Sequence, residues 1–178
     1  MNILTIGGYG FDEKSFEEAI KCSGVDTFID IRQRRGVRGK RYSFLNSSHL
    51  QKLLASIGVK YIHVLDLAPT ADVRATQMEE DRKSGTAKRD RTHLSAAFTD
   101  RYRAEVLSGF NLESLKQLLR DSRVVILFCV EEHPKACHRL IAAEYLVSAL
   151  GISEPVEHLT PCTSSFLDGP KCLGHRVA

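Results

Sequence analysis

Apolar residues follow two rhythms along the chain. Compact apolar or alternating runs at Asn2–Ile6, Val25–Ile31, Val59–Leu65, Val124–Val130 and Pro155–Leu159 have the length and period of strands. The run from Val124 is apolar throughout, as a strand buried on both faces requires. Between these runs the apolar positions recur three and four apart, the spacing of a helix face. Phe16, Ala19 and Ile20 form one such stripe, and Leu50, Leu53, Leu54 and Ile57 a second. Leu94, Phe98, Tyr102 and Val106 make a third, Leu112, Leu115, Leu118 and Leu119 a fourth, and Leu140, Ala143, Leu146, Val147 and Leu150 a fifth. Asp12 or Ser15, Ser47 or Ser48, and Asn111 stand where N-caps belong, while Gly58 and Gly151 stand where helices stop. Strands alternating with helices predict one α/β domain over residues 1–159. Its sheet is mostly parallel, with helices on both faces in a Rossmann-like three-layer arrangement. Residues 160–178 have no period and read as an irregular tail.

The pattern weakens from Asp66 to Thr92. Arg74–Lys83 fits a polar helix, and Ser84–Arg91 is loop-like, with Lys88, Arg89 and Arg91 as a basic patch. A long, poorly patterned stretch in a compact domain is often a lid or binding loop.

Composition narrows the class. With 178 residues, 43% hydrophobic and 26% charged, the chain suits a soluble single domain. No stretch approaches the eighteen or so apolar residues of a membrane span, and Met1–Gly10 lacks the basic start and apolar run of a secretory signal. Five scattered cysteines, an odd number, favour reduced thiols and a cytoplasmic protein. Net charge is only +3, but six of the ten residues from Arg32 to Arg41 are Arg or Lys. Arg32, Arg34, Arg35 and Arg38 bring planar guanidinium groups suited to phosphate, and Gly36 and Gly39 keep the loop supple. The expected partner is an anionic small molecule or a nucleic acid. Tyr42 and Phe44 either stack on bases or join the core.

Candidate chemistry gathers where predicted strands end. Gly7, Gly8 and Tyr9 follow the first strand and lead to a helix, a place where backbone N–H groups can cradle an anion; a tight turn is the alternative. The glycine spacing is not a dinucleotide fingerprint and no Lys-Ser/Thr follows, so no cofactor is expected. Asp30 and Arg32 project to one side of the second strand, to pair with each other or line a cleft. Cys129–Arg139 is the densest segment, with two thiols, two carboxylates, two imidazoles, a lysine and a guanidinium. Cys137 at a helix start would favour thiolate. Arg139 would hold an anion, Glu131 would act as acid/base or pair with Arg139, and His138 would assist; Cys129 is expected to be buried and inert. The alternative is a structural Glu131–Arg139 pair with cysteines that merely pack. Cys129, His133, Cys137 and His138 are possible zinc ligands, but no Cys-x-x-Cys pair is present and adjacent Cys137 and His138 rarely share an ion, so no metal is expected.

The order Cys129, Glu131, Pro134, Cys137-His138-Arg139 resembles the signature of the domain-of-unknown-function 488 family. Thr5-Ile6-Gly7, Asp30-Ile31-Arg32, Phe98, Tyr102 and Glu157-His158-Leu159 match it in the same order. The resemblance spans Ile3 to Leu159 and implies an α/β fold without an established activity. The chain departs from it in two loops, Gln33–Arg41 and Leu67-Ala68-Pro69-Thr70. The functional expectation is a site for a phosphate-bearing ligand at the strand carboxyl ends, used by an enzyme through Glu131, Cys137, His138 and Arg139. The alternative is a non-catalytic nucleic-acid-binding module built on Arg32–Arg41.

Overall fold

The computed structural model describes residues 1–161 and the backbone of residues 175–177. In chain order the elements are β1 (Asn2–Gly7), α1 (Glu13–Ser23), β2 (Thr27–Asp30), α2 (Ser47–Ser56), β3 (Lys60–His63), α3 (Ala71–Ser84), α4 (Ala96–Tyr102), α5 (Leu112–Leu118), β4 (Val124–Cys129), α6 (His138–Leu150), β5 (Glu157–Thr160) and β6 (His175–Val177). The strand order is β3-β2-β4-β1-β5-β6. The first five strands run parallel, and β6 lies antiparallel to β5. The chain after residue 160 is therefore not wholly irregular, because His175–Val177 extends the sheet edge; the rest of the expected tail lies outside the described residues. Among the described residues no helix is long and apolar enough to cross a membrane.

The period-two alternation of the central strands feeds two separate cores. Ile126 and Phe128 of β4, with Leu4 and Ile6 of β1, face α1 and α2 through Phe16, Ile20, Leu50 and Leu54. Val125 and Leu127 of β4, with Ile3 of β1, face the other helices through Val73, Tyr102, Leu115 and Leu146. Each such side chain contributes about 1.5–3 kcal/mol on burial, which explains why β4 reads as apolar on both faces. On the first side Phe16 makes edge contacts with Phe11, Phe28 and Phe128 at centroid distances of 5.7, 6.3 and 5.8 Å.

The helix starts follow local chemistry, with one shift from expectation, at α2. Asp12, not Ser15, caps α1: its carboxylate accepts from the Ser15 amide at 2.8 Å, and the Ser15 hydroxyl accepts from the Asp12 amide at 3.0 Å. Asn46, not Ser47 or Ser48, precedes α2. Thr70 caps α3, whose polar surface buries only Val73 and Gln77 and so carries little apolar period. The helical stripe ending at Val106 is α4 followed by a π turn at Arg103–Leu107.

At the edge of the parallel strands, the Thr5 hydroxyl lies 2.7 Å from Nδ1 of His158. Burial, and secondarily Arg139, push the His158 pKa down to about 4. Because that lies below the unfolded value of about 6.5, the folded chain disfavours the charged ring. Stability is fully present above about pH 6.5, falls as the pH drops toward 4, and levels off below that. The His158 ring protons should titrate by NMR with a midpoint near 4, and His158→Gln should remove part of the acid loss in this window. A midpoint near 6.5 would contradict this arrangement.

Candidate active site

Parallel strands place Gly7, Asp30 and Cys129 on one rim, with Gly7 beside Cys129 and Asp30 beside Phe128 in register. The connection from β2 leaves toward β3 over the α1–α2 face, while that from β4 leaves toward β5 over the opposite face. A crevice opens where neighbouring connections diverge. Here it is a cleft of about 580 Å³ whose floor is Cys129, Cys137 and His138. Arg32, Gln33 and Arg34 form one side, Arg74, Gln77 and Met78 of α3 another, and Lys88, Arg91 and Glu131 the rim.

The floor is held by strand and helix ends. Cys137 is the N-terminal flanking residue of α6, with extended backbone (φ −138°, ψ 141°), and His138 is the first helical residue. This change of conformation turns both side chains inward, and Cys137 Sγ lies 3.8 Å from Nδ1 of His138. Cys129 Sγ, from the end of β4, lies 4.0 Å from the same nitrogen. The other ring nitrogen of His138 is 3.1 Å from the Ile31 carbonyl, which can only accept, so Nε2 carries the proton. Tyr102 packs edge-on against the ring at 5.7 Å and donates its own hydroxyl to the Leu67 carbonyl at 2.6 Å. Burial raises the Cys137 thiol, but a hydrogen bond from Cys129 and the electrostatic influence of neighbouring His138 and Arg139 outweigh it and bring the thiol well below its ordinary value. Cys129 takes the opposite shift, raised by that same hydrogen bond and by burial.

Several predicted roles change once the partners are visible. Arg139 is 1% exposed and does not meet the Glu131 carboxylate. Its guanidinium donates to the backbone carbonyls of Glu131 and of Glu132, the latter at 2.8 Å. Arg139 thus ties down the loop instead of facing an anion. Glu131 instead pairs with Lys88 at 2.9 Å across the cleft mouth. Burial alone would lower the Lys88 pKa; the Glu131 carboxylate more than offsets it and keeps the amine above its ordinary value. The amides of Gly8 and Tyr9 both donate to the Val130 carbonyl, at 3.1 and 2.9 Å, so they are not free to cradle an anion.

Gly7 is required by that close packing. A Cβ there would stand 2.2 Å from the Glu131 carbonyl oxygen, a backbone atom with no room to yield. Gly7→Ala should cost about 1–3 kcal/mol, the usual range for overpacking, read from urea unfolding. An unchanged midpoint would show that the 131–136 loop moves freely.

The basic run divides. Arg32 is 3% exposed and turns inward to Asp30. Arg35 hydrogen-bonds Tyr61, which raises its pKa. Arg34 reaches the cleft, while Arg38, Lys40 and Arg41 stay exposed. Phe44 joins the core, and Tyr42 packs on Tyr9 at 4.8 Å. His133 lines a separate cleft with His93 and His158.

The sequence pattern marked a polar helix at Arg74–Lys83, within the observed α3, but singled out none of its residues for the site. Among the described residues Arg74 hydrogen-bonds only neutral partners, Gln33 at 3.0 Å and the Pro69 carbonyl. Gln77 joins the Asp81 carboxylate at 2.8 Å to the Ser95 amide at 2.7 Å, and Arg91 closes on Asp81. Burial opposes ionisation of Asp81, but Arg91 and Gln77 prevail and lower its pKa. The signal available in the sequence was the basic patch at Lys88 and Arg91 beside an otherwise unexplained polar helix.

A family model described as Domain of unknown function DUF488 matches residues 13–146. The chain matches no curated protein and no solved structure at a significant level.

Proposed function

The chain belongs to the DUF488 family, and from the cleft its fold creates we propose that it binds a small phosphate-bearing anion above the Cys129–Cys137–His138 floor. The observation that carries this reading is a local excess of positive charge. Among the described residues Lys88 is balanced by Glu131, Arg91 by Asp81 and Arg32 by Asp30, whereas Arg34 and Arg74 line the same cleft without an acidic partner. Two guanidinium groups lining one concave site suit phosphate oxygens, which accept paired N–H donors. The cleft has the volume of a small-molecule site. An enzyme reading rests on Cys137 and Glu131 facing that same space, the first as a thiolate-forming group and the second as a carboxylate poised for proton transfer. A broad nucleic-acid face would need the whole basic run on one surface, and the inward turn of Arg32 and the engagement of Arg35 by Tyr61 weigh against it.

The test is calorimetric titration with inorganic phosphate and a nucleoside monophosphate. Arg34→Ala with Arg74→Ala should weaken binding by about tenfold or more per residue, since a hydrogen bond to a charged group is worth about 1.5–3 kcal/mol. Both side chains lie at the surface of the cleft, so the fold should survive. Absence of binding by either probe, or equal binding by the double variant, would end this reading.

A further inference from the structure

We propose that Cys129, Cys137 and His138 form a zinc(II)-type metal site whose fourth position opens into the cleft. The adjacency of Cys137 and His138 argued against a shared ion in the sequence, but the turn from strand-like to helical backbone removes that objection. The Sγ atoms and Nδ1 all lie within 4.8 Å of one another, and all three residues are buried. A tetrahedral zinc with bonds of about 2.3 Å to sulfur and about 2.0–2.1 Å to nitrogen sets its ligand atoms about 3.6–3.8 Å apart. The observed sulfur-to-nitrogen distances of 3.8 and 4.0 Å need only a slight contraction.

Three further observations favour a metal over simple packing. The Ile31 carbonyl accepts a hydrogen bond from Nε2–H, leaving the Nδ1 lone pair facing the two sulfurs. A metal-bound histidine is held in this way by its outer nitrogen. The donor set, two thiolates and one imidazole, suits a borderline-soft cation such as zinc and not magnesium or calcium. Charge also balances: two thiolates and a divalent ion leave the buried cluster neutral, and any S–H proton still held leaves to solvent on binding. Three protein ligands with an open fourth position is the arrangement of catalytic rather than structural zinc. All three ligands line the cleft. The site stands without the anion reading, but its use in capturing a phosphate oxygen at the fourth position rests on it.

The full chain, purified without chelator, should carry about one zinc by elemental analysis. Cobalt(II) reconstitution should give a thiolate-to-cobalt charge-transfer band and tetrahedral d–d absorption. Cys129→Ser, Cys137→Ser and His138→Gln should each abolish stoichiometric loading. A variant with Cys22, Cys162 and Cys172 all replaced by Ser should keep it. The cobalt spectrum of the unsubstituted chain needs no variant, so a folding failure in Cys129→Ser leaves the test intact. A metal-free chain that gives no thiolate-to-cobalt band at saturating cobalt would overturn the proposal, as would a Cys129–Cys137 disulfide as the sole state of the purified protein. Phosphate titration of the chelator-stripped chain separates the two readings. Binding there without any metal uptake defeats the metal site and leaves the anion cleft standing.

Discussion

Arg32→Met is expected to lower the unfolding free energy by about 3–5 kcal/mol, the usual consequence of leaving one partner of a buried ion pair alone. Asp30 is 0% exposed. Its Oδ1 accepts from Nε of Arg32 at 2.9 Å and from the Arg32 amide at 3.0 Å; its Oδ2 accepts from Nη2 at 2.7 Å and from the Tyr61 hydroxyl at 2.8 Å. The guanidinium also donates to the Leu45 carbonyl at 2.9 Å and lies over the Phe128 ring at 4.6 Å. Methionine would preserve much of the stem packing and none of the charge. The carboxylate would then keep only the amide and the phenol. Urea unfolding followed by circular dichroism measures the effect. Adding Asp30→Leu to Arg32→Met should recover part of the loss, because removing both charges also removes the unpaired one. A loss below about 1 kcal/mol in the single variant would mean that water reaches Asp30 as in an exposed pair.

Arg139→Leu should cost about 2–4 kcal/mol and loosen the 131–136 loop. The guanidinium satisfies two loop carbonyls from inside the protein, and an unsatisfied buried acceptor costs about 1–3 kcal/mol. Arg139→Lys should not restore the loop, since one ammonium cannot reproduce a two-pronged planar fork. Hydrogen exchange across residues 131–136 should rise in both variants, and phosphate affinity should fall because Glu131, which holds Lys88 at the cleft mouth, rides on that loop. Full rescue by lysine would show that charge alone, not the fork, holds the loop.

These outcomes concern residues the sequence placed well but interpreted unevenly. The layers were legible because period carries them: the alternation of Val125, Ile126, Leu127 and Phe128 sends its residues to two cores. The shared rim followed from parallel strands. The dense segment between Cys129 and Arg139 did locate the floor of the cleft. Partner choice was not legible, because it depends on backbone atoms that no residue type announces. The Glu131 and Glu132 carbonyls claim Arg139, the Val130 carbonyl takes the amides of Gly8 and Tyr9, and the Ile31 carbonyl fixes the His138 tautomer. The part α3 plays in the cleft was illegible for a different reason. The helix is anchored by polar contacts such as Gln77 to Asp81 and Ser95, so little apolar rhythm marks it. The register of β6 has no such pattern in so short a strand.

The position of β4 between β1 and β2 also imposes a timetable on biosynthesis. β1 and β2 emerge first, yet neither pairs with the other, since the strand that joins them begins at Val124. At typical elongation rates of about 5–20 residues per second, the interval from the end of β2 to the end of β4 lasts roughly 5–20 s. Throughout it β1 has no strand neighbour and β2 keeps an open edge on the side that β4 will fill, the exposed arrangement on which intermolecular strand pairing feeds. The nascent chain thus carries β1 unpaired and β2 half-paired until Cys129 is made. Chaperones that shield strand edges have their longest claim on it before that residue.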